Sequence, residues 1–93
     1  MPLRTHRWVA SEALKTRKDA AAYLDAVLED GDPALLKAAL GDLARAKGMS
    51  GVARAAGLSR ANLYKALSPD GNPEFTTVVK VLRALGLRVR VAA

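Results

Sequence analysis

The 93-residue chain has no cysteine and no isoleucine, a single histidine, and aromatic residues at only 4% of positions. Without cysteine there is no disulfide, no thiolate zinc site and no cysteine nucleophile, and a reducing cytoplasm is the simplest compartment consistent with that. No apolar run approaches the roughly 18–20 residues of a bilayer span, so no transmembrane helix is expected. The basic stretch 1–18 is interrupted by His6, Arg7, Ser11 and Glu12, which leaves no apolar segment for a secretory signal. The length suits one domain with one core and excludes a large multi-step enzyme.

What is present in abundance is alanine and leucine, with 19 Ala and 14 Leu in an apolar fraction of 51%. That composition favours helices with thin, closely packed interfaces. The net charge is +6 and the isoelectric point about 10.2, a balance that points to a polyanionic partner. The charge is unevenly spread. Residues 1–18 carry five Lys/Arg against one acid, 19–42 carry one Lys against six acids, and 43–93 carry nine Lys/Arg against two acids.

Hydrophobic periodicity predicts five helices. The first opens at Thr16, whose hydroxyl caps backbone N–H groups with Asp19 three residues on, and turns Ala20, Tyr23, Leu24, Val27 and Leu28 inward. Asp32 followed by Pro33 starts the second, which carries Leu35, Leu36, Ala39, Leu40, Leu43 and Ala46 to a stop at Gly48. Gly41, unfavourable in mid-helix by about 1 kcal/mol relative to Ala, marks close approach of another helix. Ser50 is expected to cap a short third helix that ends at Gly57, and Ser59 a fourth. After a loop through Ser68, Pro69, Asp70, Gly71, Asn72 and Pro73, Thr76 or its neighbours open a fifth, with Phe75, Val78, Val79, Leu82 and Leu85 inward and Gly86 at its end. Leu87, Val89 and Val91 then alternate with Arg88 and Arg90 in the rhythm of a half-buried strand. Such a strand needs a partner, either the stretch around Arg7, Trp8 and Val9 or the same strand of a second subunit.

The informative stretch is 49–67. Read as a helix-turn-helix, it places the small Ala53 where the helices cross, uses Gly57 for a left-handed turn, and plugs Leu58 into the core. Val52, Leu63 and Leu67 then anchor the pair against Leu40, Leu43 and the fifth helix. The second helix of such a pair presents its first residues to base edges in the major groove. Ser59, Arg60, Ala61, Tyr64 and Lys65 occupy outward positions. Arg60 suits guanine O6 and N7, Ala61 a thymine methyl, and Asn62 or Tyr64 bases or phosphates. Ser50, near the start of the third helix, suits a phosphate, with Lys47, Arg54 and Lys65 in support. A plain bundle of Ala-rich helices joined by Gly is the competing structural reading, with Trp8 and Tyr23 as packing residues.

Catalytic arrangements are not found. His6 is the only histidine and has no second ligand at metal spacing. The acids of the first two helices form no paired-carboxylate site, and Gly48 and Gly51 match neither the Walker nor the dinucleotide pattern. Neither enzymatic activity nor a cofactor or metal is expected.

The segments Ala22-Tyr23-Leu24, Gly31-Asp32-Pro33, the run from Ala39 to Met49, Gly57-Leu58-Ser59-Arg60, the run from Leu63 to Ser68, Gly71-Asn72-Pro73 and the run from Val81 to Leu87 are similar to one known family. The chain resembles the small helix-turn-helix antitoxins of addiction modules, antidote proteins related to HigA-type antitoxins and phage-repressor-like DNA-binding domains, over roughly residues 16 to 88. The resemblance implies a RelE/ParE-like, RNA-cleaving toxin partner that the protein blocks by direct binding, and repression of a shared promoter. A basic toxin needs an acidic surface, and Asp25, Glu29 and Asp30 are candidates for contacting its Arg and Lys residues. A two-fold operator implies a homodimer.

The expected fold is therefore all-α, a five-helix phage-repressor-like helix-turn-helix domain with a short C-terminal strand. Residues 1–15 form an arm, possible site of a short strand, 16–86 the domain with its helix-turn-helix at about 49–67, and 87–93 the tail. Two other classes stay open: a stand-alone phage-type repressor or nucleoid-binding protein without a toxin, and a protein-interaction bundle whose basic patch is incidental.

Overall fold

The computed structural model describes residues 16–93. The N-terminal arm, with His6 and the proposed strand around Arg7, Trp8 and Val9, lies outside the described residues. Five helices are present among those described: α1 (Arg17–Asp30), α2 (Pro33–Lys47), α3 (Met49–Ala56), α4 (Arg60–Leu67) and α5 (Phe75–Ala84).

Local chemistry explains most boundaries. Thr16 accepts a hydrogen bond from the Asp19 N–H at 2.9 Å, and Asp32 accepts one from Ala34 N–H at 2.9 Å with Pro33 at the first helical position. Each cap satisfies a donor that the first helical turn leaves free. Gly31 ends α1 in the left-handed conformation at φ 81°. The third helix departs from expectation: it begins at Met49, one residue after Gly48, so Ser50 lies within the first turn and no side chain caps that end. At the far end of α5, Gly86 N–H donates to Arg83 O and Leu87 N–H to Leu82 O, both at 2.9 Å, closing the helix as a glycine stop does.

The second helix is central. It packs against all four others, with Leu40 and Leu43 at 1% and 0% exposure. Around it gather Tyr23, Leu24 and Val27 of α1, Val52 and Ala53 of α3, Leu63 and Leu67 of α4, and Val81 with Leu85 at the C-terminal side. The most extensive helix pair is α3 with α5, whereas α4 packs on α2 and α3 and not on α5. The expected anchoring of the 49–67 pair against the fifth helix therefore runs through α3. Freed from α5, α4 keeps most of its circumference open.

Several inward assignments need correction. Phe75 is 72% exposed and Leu28 57% exposed. The buried sector of α5 centres on Val81 and Leu85, and at 3.6 residues per turn Phe75 stands about 120° from Val81. Leu28 sits beside the buried Val27 but in the last turn of α1, on the flank of its buried stripe. Ala46 is also exposed. Gly41 does not receive another helix: a Cβ there would lie 3.3 Å from the Arg45 guanidinium, which reaches back to Asp42 at 2.8 Å. The expected C-terminal strand is absent, and 87–93 carry no regular secondary structure. A strand exists through pairing, and no strand among the described residues is there to pair with it; only Leu87 packs on the core, while Val91 is 97% exposed.

Candidate nucleic-acid interface

The turn between α3 and α4 is built from three residues. Gly57 takes φ 74°, a conformation open to glycine and strained for side chains that carry a Cβ. Its N–H donates to Arg54 O at 3.1 Å and the next N–H, of Leu58, to Ala53 O at 2.8 Å. These bonds occupy the last carbonyls of α3 and drive Leu58 against the core. Ser59 then caps α4, its hydroxyl accepting from Asn62 N–H at 3.0 Å. Ala53, 2% exposed, is the small residue that brings α3 close to its neighbours.

The two faces of α4 are cleanly separated. Leu63 is fully buried and Leu67 nearly so, while Arg60, Ala61, Asn62, Tyr64 and Lys65 are all exposed. Arg60 and Tyr64 stand one turn apart. The guanidinium carbon lies 5.5 Å from the Tyr64 ring centre and an Nη2–H donates to the phenolic oxygen at 3.5 Å. The cation–π contact is worth about 0.5–1 kcal/mol at an exposed position, enough to bias the Arg60 rotamer without fixing it. Ser50, Lys47 and Arg54 are exposed as well; Arg60 and Lys65 lie on α4 and Arg54 in the last turn of α3 before the turn, whereas Lys47, at the end of α2, lines a hollow with Thr16, Arg17 and Leu85. Ser50 stands in the first turn of α3, where free N–H groups favour an anion.

The acidic stretch is less available than its composition implies. Asp32 is occupied as the cap of α2 and Asp42 pairs with Arg45. Asp25 and Glu29 are exposed neighbours one turn apart on α1. Asp30 is also exposed, but helical geometry turns it about 140° from Asp25. The three toxin-facing candidates therefore do not make a single patch. Asp42 also lies near Tyr23, whose hydroxyl pKa is pushed up to about 12, first by burial and then by the Asp42 charge.

Compared with known proteins, residues 4–93 match the model of a family described as "Probable addiction module antidote protein". The chain belongs to this antidote family. Over 81 residues it is 48% identical to an uncharacterized protein of Haemophilus influenzae strain Rd, an alignment that covers 87% of this chain and 84% of the relative. No solved structure gives a significant match. An antidote implies a toxin partner in general.

One residue that bears on the antidote's α4 escaped sequence reasoning. Lys37, the lone cation of the acidic stretch, donates from its Nζ to Pro69 O at 3.0 Å and to Gly71 O at 2.5 Å. It pins the loop that follows α4 onto α2. Gly71 fits against the last turn of α4 so closely that a Cβ would lie 2.5 Å from Ala66 O and would also strike Lys65 O. Ser68 Oγ donates to Lys65 O at 2.9 Å. The signal available in sequence was the isolation of Lys37 among acids, which finds a physical reason only once the loop carbonyls are in place. No group of side chains suited to hold a metal ion is found among the described residues, nor any helix long and apolar enough to cross a membrane.

Proposed function

We propose that this antidote-family protein is the antitoxin of a type II toxin–antitoxin module, that it acts in the cytoplasm, and that it binds operator DNA through α3 and α4 as a helix-turn-helix and so represses its own operon. The observation that carries the DNA reading is the division of α4: Leu63 and Leu67 lock one face into the core, and five consecutive-turn positions from Arg60 to Lys65 are left outward. Arg60 reads guanine O6 and N7, Ala61 meets a thymine methyl, and Asn62 and Tyr64 contact bases or flanking phosphates. Ser50 and Ser59, with Lys47, Arg54 and Lys65, hold the phosphates on either side and set the register.

The partner is a RelE/ParE-like toxin whose basic surface meets the acids of α1. Asp25 and Glu29 present one ridge and Asp30 a second, flanking contact. The test is co-expression with the small gene adjacent to this one: the wild-type protein restores growth that the neighbour arrests, and the triple variant Asp25→Lys, Glu29→Lys, Asp30→Lys does not, although its helical circular dichroism is unchanged. Full rescue by the triple variant would remove the acidic contact from the account. A neighbour whose expression is harmless would remove the toxin.

A further inference from the structure

A groove of 530 Å³ runs between α1 and the segment that follows α5, away from α4. Its floor is aliphatic, with Leu24, Leu28, Leu82, Leu87 and Val89 among its lining residues, and Leu28 and Val89 are 57% and 48% exposed. One wall is acidic, with Asp25 on the lip and Glu29 one turn further along α1. The other is basic, formed by Arg88 and Arg90. These four side chains make no ion pair with one another; the ion pair between described residues is Arg45 with Asp42. An apolar floor between an unpaired anionic wall and an unpaired cationic wall is self-complementary.

We propose that the groove is the interface between two copies of this chain, related by a two-fold axis running along it. That operation lays the Asp25–Glu29 wall of one copy over the Arg88–Arg90 wall of the other, twice, and buries Leu28 and Val89 of both. An isologous contact requires this kind of self-complementarity. Seated in the groove itself, a strongly basic partner would meet repulsion from Arg88 and Arg90 and a strongly acidic one from Asp25 and Glu29, so the basic toxin reaches the α1 acids from the side of Asp30 and not across the groove. Direct pairing of two tails as a β-ribbon is disfavoured for the same reason. The antiparallel registers that pair most of the tail, those centred on residue 88, 89 or 90, set Arg88 or Arg90 opposite an arginine of the second copy, and like charges directly opposite are destabilising. The tail is thus better matched to the second copy's α1 than to its tail.

This contact shares Asp25 and Glu29 with the toxin-facing surface, so its test reads association without toxin or DNA. Two charge variants are compared by sedimentation: Arg88→Glu with Arg90→Glu, which makes both walls acidic, and Asp25→Lys with Glu29→Lys, which makes both basic. The wild type is expected to dimerise with rising concentration. Each variant alone is expected to lose affinity by about tenfold or more with unchanged helical circular dichroism, and an equimolar mixture to regain the mass of two chains. Leu28→Lys, with the wild-type charges kept, is expected to be monomeric with an unaltered thermal melt. A wild type that stays monomeric, variants that dimerise alone, or a mixture that stays monomeric would each overturn the proposal.

Discussion

At the scale of single residues, Arg60 and Tyr23 carry the sharpest expectations. If Arg60 makes the bidentate guanine contact proposed for it, Arg60→Ala should weaken binding to the cognate site by about 1–3 kcal/mol while leaving scrambled DNA nearly unaffected. Arg54→Ala should weaken both DNAs alike and reduce the salt dependence by about one phosphate contact. Fluorescence anisotropy titrations at several salt concentrations separate the two behaviours. Tyr23 concerns the fold instead. Its hydroxyl pKa stands at about 12 against an ordinary 10.0, so the folded state favours the protonated phenol. The stability this confers is complete below about pH 10 and is lost as pH rises from there through about 12. Phenolate absorbance in a Tyr64→Phe background should therefore titrate late, and Tyr23→Phe should remove that part of the alkaline decline in thermal stability.

At the scale of elements, the helices were readable in the sequence where a local rule acts. The caps at Thr16, Asp32 and Ser59, the glycine stop at Gly57, and the inward positions of α2 other than Ala46 follow from side-chain chemistry within a few residues. What was not readable depends on neighbours distant in sequence. Phe75 matches the apolar period of α5 but stands beyond the sector that α2 and α3 cover. Gly41 is explained by the guanidinium of Arg45 and not by a second helix. The clamp from Lys37 to the loop carbonyls joins residues more than thirty positions apart. Two substitutions test that clamp. Lys37→Met should cost about 1.5 kcal/mol by removing charge-assisted bonds to the loop and should speed hydrogen exchange at the end of α4. Gly71→Ala should destabilise more than Gly57→Ala in urea unfolding, since the second costs about 1–2 kcal/mol of backbone strain whereas the first also forces a Cβ against the Lys65 and Ala66 carbonyls.

At the scale of the whole molecule, the two proposed contacts fall on different parts of the fold, DNA on α4 and the second copy on the groove beside α1. The outward face of α4 is legible from sequence because the helix period alone selects it. The pairing of the tail was legible only as a need for a partner: alternation in 87–93 suggested a strand, yet no strand lies beside it among the described residues, and the charges flanking the groove emerge only when α1 is brought alongside. Placing the copy–copy contact on the groove leaves both α4 helices free, as a two-fold operator with half-sites about one helical turn apart requires. Footprinting should then show two protected half-sites, with the protection of both lost together in Leu28→Lys at protein concentrations where the wild type occupies them.

The central claim is that α4 reads sequence. Its most direct test is a titration of the protein against labelled DNA from immediately upstream of its own gene, with a scrambled fragment of equal length, for wild type and Arg60→Ala across a range of salt. The account predicts tighter wild-type binding to the native fragment, a preference that Arg60→Ala largely abolishes while the salt slope on scrambled DNA is nearly preserved. Equal, salt-sensitive binding to both fragments by both proteins would contradict it, and would reduce the basic face of α4 to a non-specific contact with a polyanion.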